Sequence, residues 1–374
     1  MGALTLLGLL WAMPPALADS PEFGFAPSLP VAYRDPLPEL EAWARERPTP
    51  EIVPAPAEGY RFIGPAFTEV ARHVAARPGV ARVEAIGRSA LAEPIWAFHI
   101  TDPSTPITEE VLVVAGIHAL EWISTEVALE LLHDLVERPP RGTRVTIVPL
   151  LNPDGRARVE NDFLSELTER YHRTNGAYVD LNRDFAHQRQ PRAIWRHLLP
   201  GYYSSSPEAL SQPESRALDH LCERHDYERA ASLHAFGGYL YHPWAGAWER
   251  PEHWRAFVQQ GRAMEKAMGA GAYRTRQLGR WGFFFRAHGT EVDHLYAEHG
   301  IEAWLIELTR SGLRPWRFRR DRSTPFRWYN PENPNPHTTR ATAALHSLVV
   351  GIDPTDPSAQ RRSVEEPTHG VPPR

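Results

Sequence analysis

Cys222 is the only cysteine in this 374-residue chain, so an intramolecular disulfide is excluded. Its setting, Ala217-Leu218-Asp219-His220-Leu221-Cys222, reads as helix, and no neighbouring pattern supplies the base that a nucleophilic thiol needs. Gly-x-Ser-x-Gly is absent too, and with it a common signature of serine hydrolases. Positive charge is not in excess: the net charge is −5 and the pI about 6.4. No nucleic-acid partner is expected from that balance. No apolar run is long enough to span a membrane comfortably, including Leu4 to Met13 near the start. Residues 1–18 carry no charge at all. Ala16-Leu17-Ala18 fits the small-x-small rule for signal cleavage, which predicts export with cleavage near Asp19 and a periplasmic or secreted location. The Lys or Arg that normally precedes the apolar part of such a signal is missing here.

What is present supports one large domain. Hydrophobic residues make up 42% and charged residues 23%, a normal globular balance with enough apolar material for a sizeable core. The 36 prolines gather at the two ends and in connectors. The chain is expected to divide into a signal peptide (1–18), an irregular Pro-rich lead-in (19–59) with a short helix near Pro38 to Arg47, a main folded domain (60–352) and a polar tail predicted to be disordered (353–374). Within the domain, strands are expected at Val80 to Ile86, Pro94 to Ile100, Glu110 to Ile117, Arg144 to Leu150, Arg229 to His234, Tyr239 to Tyr241 and Glu302 to Glu307. Helices are expected at Phe67 to Arg77, Trp122 to Val136, Gln212 to Arg224, Trp254 to Met268 and Thr339 to Val350. Alternation without repeats predicts a single α/β domain with a mixed, mostly parallel sheet flanked by helices.

His-x-x-Glu occurs five times, at His118, His220, His225, His288 and His299, so the pattern alone selects nothing. Only His118 stands where an apolar strand gives way to a helix. There, imidazole and the Glu121 carboxylate can turn to one point, and one distant His completes a three-ligand zinc site with a fourth position left for water. His234 ends one expected strand and Glu307 another. Ligands of open α/β sheets gather at the carboxyl ends of strands, so one site can hold all of these groups. His220, His225, His288 and His299 are left out of it. Glu307 is a candidate proton acceptor. Arg173 and Arg183 are candidates for steadying an oxyanion or gripping a carboxylate. Asn152-Pro153-Asp154-Gly155 is read as a structural turn.

In order along the chain, six segments resemble the signatures of the zinc carboxypeptidase (M14) family of metallopeptidases. They are Gly116-Ile117-His118-Ala119-Leu120-Glu121-Trp122-Ile123, Asn152-Pro153-Asp154-Gly155, Val179-Asp180-Leu181-Asn182-Arg183, Gln212-Pro213-Glu214-Ser215-Arg216-Ala217-Leu218, Ser232-Leu233-His234 and Ile306-Glu307-Leu308. The resemblance covers roughly Arg61 to Ser347. It implies one zinc ion held by His118, Glu121 and His234, with Glu307 as general base. It gives Arg173 the oxyanion role, with Arg170 as the alternative, and Asn182 and Arg183 the substrate's terminal carboxylate. Two positions depart from the pattern. Leu120 stands where the family often has Arg, and Phe285 where typical members have a substrate-capping Tyr. Val292 falls where side-chain preference is set, which favours apolar or aromatic terminal residues, although Glu291 and His288 lie nearby.

The favoured activity is therefore removal of one C-terminal residue from a peptide. A peptidoglycan stem-peptide amidase of the same fold is the alternative. A zinc-binding recognition domain without catalysis is the third reading, against which the presence of Glu307 argues.

Overall fold

The computed structural model describes residues 36–54, 57–165, 172–190, 204–281, 286–310 and 326–351. Their centre is an eight-stranded sheet in the order β1-β2-β4-β3-β5-β8-β6-β7. The strands are β1 (Ala81–Arg88), β2 (Pro94–Ile100), β3 (Glu109–Val114), β4 (Thr143–Val148), β5 (Arg229–Ala235), β6 (Tyr239–His242), β7 (Arg274–Gln277) and β8 (Glu302–Leu308). The β3–β4, β3–β5, β5–β8 and β6–β7 pairs are parallel, and β1–β2, β2–β4 and β6–β8 are antiparallel. This is the expected mixed, mostly parallel sheet.

Central strands read as unbroken apolar runs because both faces are covered. Val111 and Val113 enter one core, while Leu112 and Val114 enter the other. Helices α1 (Pro36–Arg45), α2 (Ile63–Ala75), α3 (Trp122–Glu137), α6 (Trp254–Met268) and α9 (Asn335–Val350) contribute to the first core. Helices α5 (Pro213–Glu223) and α7 (Glu291–His299) contribute to the second. Helix α4 (Pro153–Leu164) and the short α8 (Phe326–Tyr329) complete the set among the described residues.

Three differences from the sequence reading have physical causes. Helix α1 lies in the expected lead-in, yet it buries Leu40, Trp43 and Ala44 and belongs to the same compact unit as the rest of the domain. Asn152-Pro153-Asp154-Gly155 is a helix start rather than only a turn. Asn152 caps α4 by accepting from the Gly155 amide at 2.9 Å, and proline suits the first helical position because its missing N–H would have no partner there. β7, Arg-Thr-Arg-Gln, has no apolar alternation to reveal it. As an edge strand it is charged, which discourages pairing with other chains.

Candidate functional site

The loop after β3 turns through Gly116, whose φ is +64°. A Cβ there would lie 2.8 Å from Leu150 Cδ1 and 3.0 Å from Leu150 Cα, so only glycine fits this turn without displacement. Ser124 accepts from the Gly116 amide at 3.1 Å. Asn330 braces the other side, donating to the Leu120 carbonyl at 2.7 Å and accepting from the Ile123 amide at 2.9 Å. The Leu120 side chain itself is buried in the first core. Glu121 stands at the N-terminus of α3 without capping it, which leaves its carboxylate free to face inward.

His118, Glu121 and His234 are all buried and converge. His118 Nδ1 lies 2.9 Å from Glu121 Oε1 and 3.1 Å from His234 Nδ1. His234 Nδ1 lies 3.2 Å from Glu121 Oε2. One ligand atom from each residue falls within a 4.8 Å span. Two imidazole nitrogens and a carboxylate meeting at one point form a donor set suited to zinc. The far nitrogen of each imidazole also meets a carboxylate. His118 Nε2 is 3.1 Å from Asp180 Oδ1, and His234 Nε2 is 3.4 Å from Glu291 Oε1. Such contacts fix ring orientation and turn the Nδ1 atoms toward the centre.

Glu307 is the cross-strand neighbour of His234 in the β5–β8 ladder. A Cβ on Gly237 would meet the Glu307 Cβ at 3.1 Å, so the glycine lets the following loop close over this carboxylate. Glu307 Oε2 is buried and has no hydrogen-bond partner among the described residues. Burial pushes its carboxyl up to about 8, helped by the Glu121 charge and opposed by His234 and Arg173. Burial also works against the His234 imidazolium, but hydrogen bonds to Glu121 and Glu291 outweigh it and raise the group to about 10. Burial would likewise raise Glu121 and Asp180. The adjoining imidazoles hold Glu121 well below the usual carboxylate range, and Arg173 with His118 does the same for Asp180.

Arg173 joins the cluster, donating from Nε to Asp180 at 2.8 Å and lying 3.4 Å from Glu121 through Nη1. Asn182 and Arg183 are buried in a 3-10 turn whose Asn182 amide is capped by Asp180 at 3.0 Å. Asn182 Oδ1 accepts from the Glu291 amide at 3.0 Å, which ties this turn to the start of α7. Val292 is fully buried in the second core. Phe285 and Arg170 lie outside the described residues. Asp180 links His118 to Arg173. Its place two residues before Asn182 gave no sign of that, nor did the sequence assign Glu291 to His234.

A sequence profile described as zinc carboxypeptidase matches residues 68–321. Human carboxypeptidase D is 27% identical over 173 residues, 42% of this chain and 10% of the relative. The uncharacterized protein YqgT of Bacillus subtilis (strain 168) is 31% identical over 211 residues, 47% of this chain and 53% of the relative. The chain thus matches only about a tenth of the first of these relatives and about half of the second. The structure of bovine thrombin-activatable fibrinolysis inhibitor in complex with tick carboxypeptidase inhibitor has a similar fold. Its TM-score is 0.63 at 18% identity, covering 78% of this chain and 96% of that one. An α/β fold with a buried two-histidine, one-carboxylate cluster defines a class of candidate metallohydrolases. Within that class, this chain belongs to the zinc carboxypeptidase family.

Proposed function

We propose that the protein is a zinc-dependent carboxypeptidase that hydrolyses the C-terminal peptide bond of peptides. The observation that carries this reading is the convergence of His118 Nδ1, Glu121 and His234 Nδ1 beside Glu307, whose Oε2 has no partner among the described residues. His118, Glu121 and His234 would hold one zinc ion. When bound there, zinc supplies Lewis acidity, lowering the pKa of water and polarising a carbonyl.

The chain's own groups do the rest. Glu307 accepts the attacking water's proton on its unpartnered oxygen and returns it to the departing amine. Arg173 places guanidinium donors beside the ligand cluster, where they stabilise negative charge developing on the carbonyl oxygen. Asn182 and Arg183 grip the substrate's terminal carboxylate, a task suited to a guanidinium fork. No helix among the described residues is long and apolar enough to cross a membrane, and the N-terminal pattern supports export.

The test is mass-spectrometric analysis of a mixed peptide pool, with zinc or with chelator. Chelator-sensitive loss of single C-terminal residues is expected. Arg183→Ala should raise KM and lower kcat/KM on free-carboxylate peptides. Equal activity of the unaltered protein on C-terminally amidated peptides would refute the anchor role. Glu291 favours a second reading, hydrolysis of peptidoglycan stem peptides. Its Oε1 faces His234, while its Oε2 is buried with no hydrogen-bond partner among the described residues, a setting that suits a terminal residue bearing an ammonium group. Release of diaminopimelate or D-amino acids from muropeptides, without cleavage of ordinary peptides, would select that reading. If Glu307→Gln keeps ligand affinity and the unaltered protein shows no turnover to lose, the protein is a binding domain.

A further inference from the structure

Two further clusters of histidine and carboxylate lie outside the site described above: Glu84 with His99 and His225, and Asp219 with His294 and His299. Their surroundings differ in one decisive respect. In the first, arginines already serve the acidic groups. Arg224 Nη1 sits 2.8 Å from Glu84, and Arg144 pairs with Glu110, which in turn contacts His225 at 2.9 Å. A metal there would have to displace cations that are already in place.

The second cluster has no such counter-charge. Asp219 Oδ1 meets His294 Nε2 at 2.8 Å and His299 Nε2 at 2.7 Å, and among the described residues it pairs with no lysine or arginine. We propose that Asp219, His294 and His299 form a second metal site that takes a divalent transition ion of the zinc class and fastens α5 to α7.

Composition and geometry support this. Two imidazole nitrogens and one carboxylate oxygen within 4.8 Å repeat the donor set of the catalytic cluster. In both clusters the facing atoms have closed to hydrogen-bond distance, 2.7–2.8 Å here against 2.9–3.2 Å there. Tetrahedral zinc bonds of about 2 Å would need the ligand atoms of the second cluster to separate by about half an ångström. The side chain of His294 is 3% exposed, while those of Asp219 and His299 are each 13% exposed. The site is therefore held from inside and open at its rim, which gives an ion a way in and leaves a position for water. His299 also lies in the last turn of α7, where the helix dipole favours positive charge.

The site would bear on the catalytic centre through α7. That helix starts with Glu291, in contact with His234, and Val292, and carries His294 and His299 further along. An ion tying it to α5 would hold the Glu291 end in register with His234.

The experiment counts zinc by mass spectrometry in the full-length protein after zinc loading and gel filtration. About two ions per chain are expected in the unaltered protein, and about one in Asp219→Asn and in His299→Gln. About one should remain in a His118→Ala/His234→Ala variant, and adding Asp219→Asn to that variant should remove it. His299 lies at the rim, so His299→Gln guards against misfolding as the cause of a loss. One ion in the unaltered protein with no change in Asp219→Asn would overturn the second site and leave the catalytic one standing. One ion that disappears with Asp219→Asn and persists in His118→Ala/His234→Ala would do the reverse.

Discussion

Zinc binding at the His118–Glu121–His234 cluster should release about two protons per ion near pH 7. Three buried carboxyl groups, Glu121, Asp180 and Glu291, and the half-buried Glu307, whose Oε2 is inaccessible, share this pocket with two buried or nearly buried guanidinium groups, Arg173 and Arg183. With the carboxyls ionised and the imidazoles neutral, two negative charges stand uncompensated. Charge of that kind in a protein interior is costly, and titration is the usual relief. His234 is raised to about 10 and Glu307 to about 8. At pH 7 both are therefore expected to carry protons, which offsets two negative charges. A divalent cation brings the same two charges, so both protons leave when it binds.

The pH dependence follows by linkage. Apparent zinc affinity should rise about 100-fold per pH unit near pH 7, about tenfold per unit between pH 8 and 10, and level off above. Titration calorimetry in buffers of different ionisation enthalpy reads the proton number directly. Glu307→Gln cannot take up a proton at that position, so it should release about one proton fewer than the unaltered protein. Equal release from the two proteins would refute the assignment of a proton to Glu307. Release near zero in both would refute the charge argument as a whole.

The same shifts govern the stability of chelator-treated protein. Both groups titrate higher in the folded state than their ordinary values of 6.5 for His234 and 4.5 for Glu307, so their contribution is complete below those values and lost as pH rises through about 10 and 8. Its Tm should therefore fall between pH 6.5 and 10, and a flat profile over that range would count against the shifts. Asp180→Asn should weaken zinc binding about 10- to 100-fold in chelator competition, since it loosens the orientation of His118; unchanged affinity would remove Asp180 from that role. Glu291→Gln removes one of the two carboxylate contacts that raise His234, so proton release on zinc binding should fall; unchanged release would remove Glu291 from that role. Gly116→Ala places a Cβ 2.8 Å from Leu150 Cδ1 at positive φ. It should cost at least about 1–2 kcal/mol, read as a lower Tm.

The parts of the fold that the sequence displayed are those whose burial is periodic or complete. β2 and α6 have the expected boundaries, and β3, β4, β5 and β8 agree within a few residues, because apolar runs mark strands covered on both faces. Elements without that signal were missed. β7 lies at the sheet edge with little to bury. α7 has a polar first turn, and its signals are local ones, Thr290 at the N-terminus and Gly300 in the left-handed conformation at the end. Helix α4 was hidden by turn residues that serve equally well as a helix cap.

The candidate site divides along the same line. His118, Glu121, His234 and Glu307 were legible because each sits at or just beyond the end of a recognisable strand, and strand order then carries them to one place. Asp180 and Glu291 were not assigned their partners, because their roles depend on which imidazole nitrogen they meet. That is set by the packing of the 3-10 turn and α7 against the second face of the sheet. Net charge misleads in the same way. The chain carries −5 overall, but the cation requirement comes from four carboxyl groups brought together from four separate segments. A composition cannot show that concentration, which appears only when the segments carrying Glu121, Asp180, Glu291 and Glu307 are folded around His118 and His234.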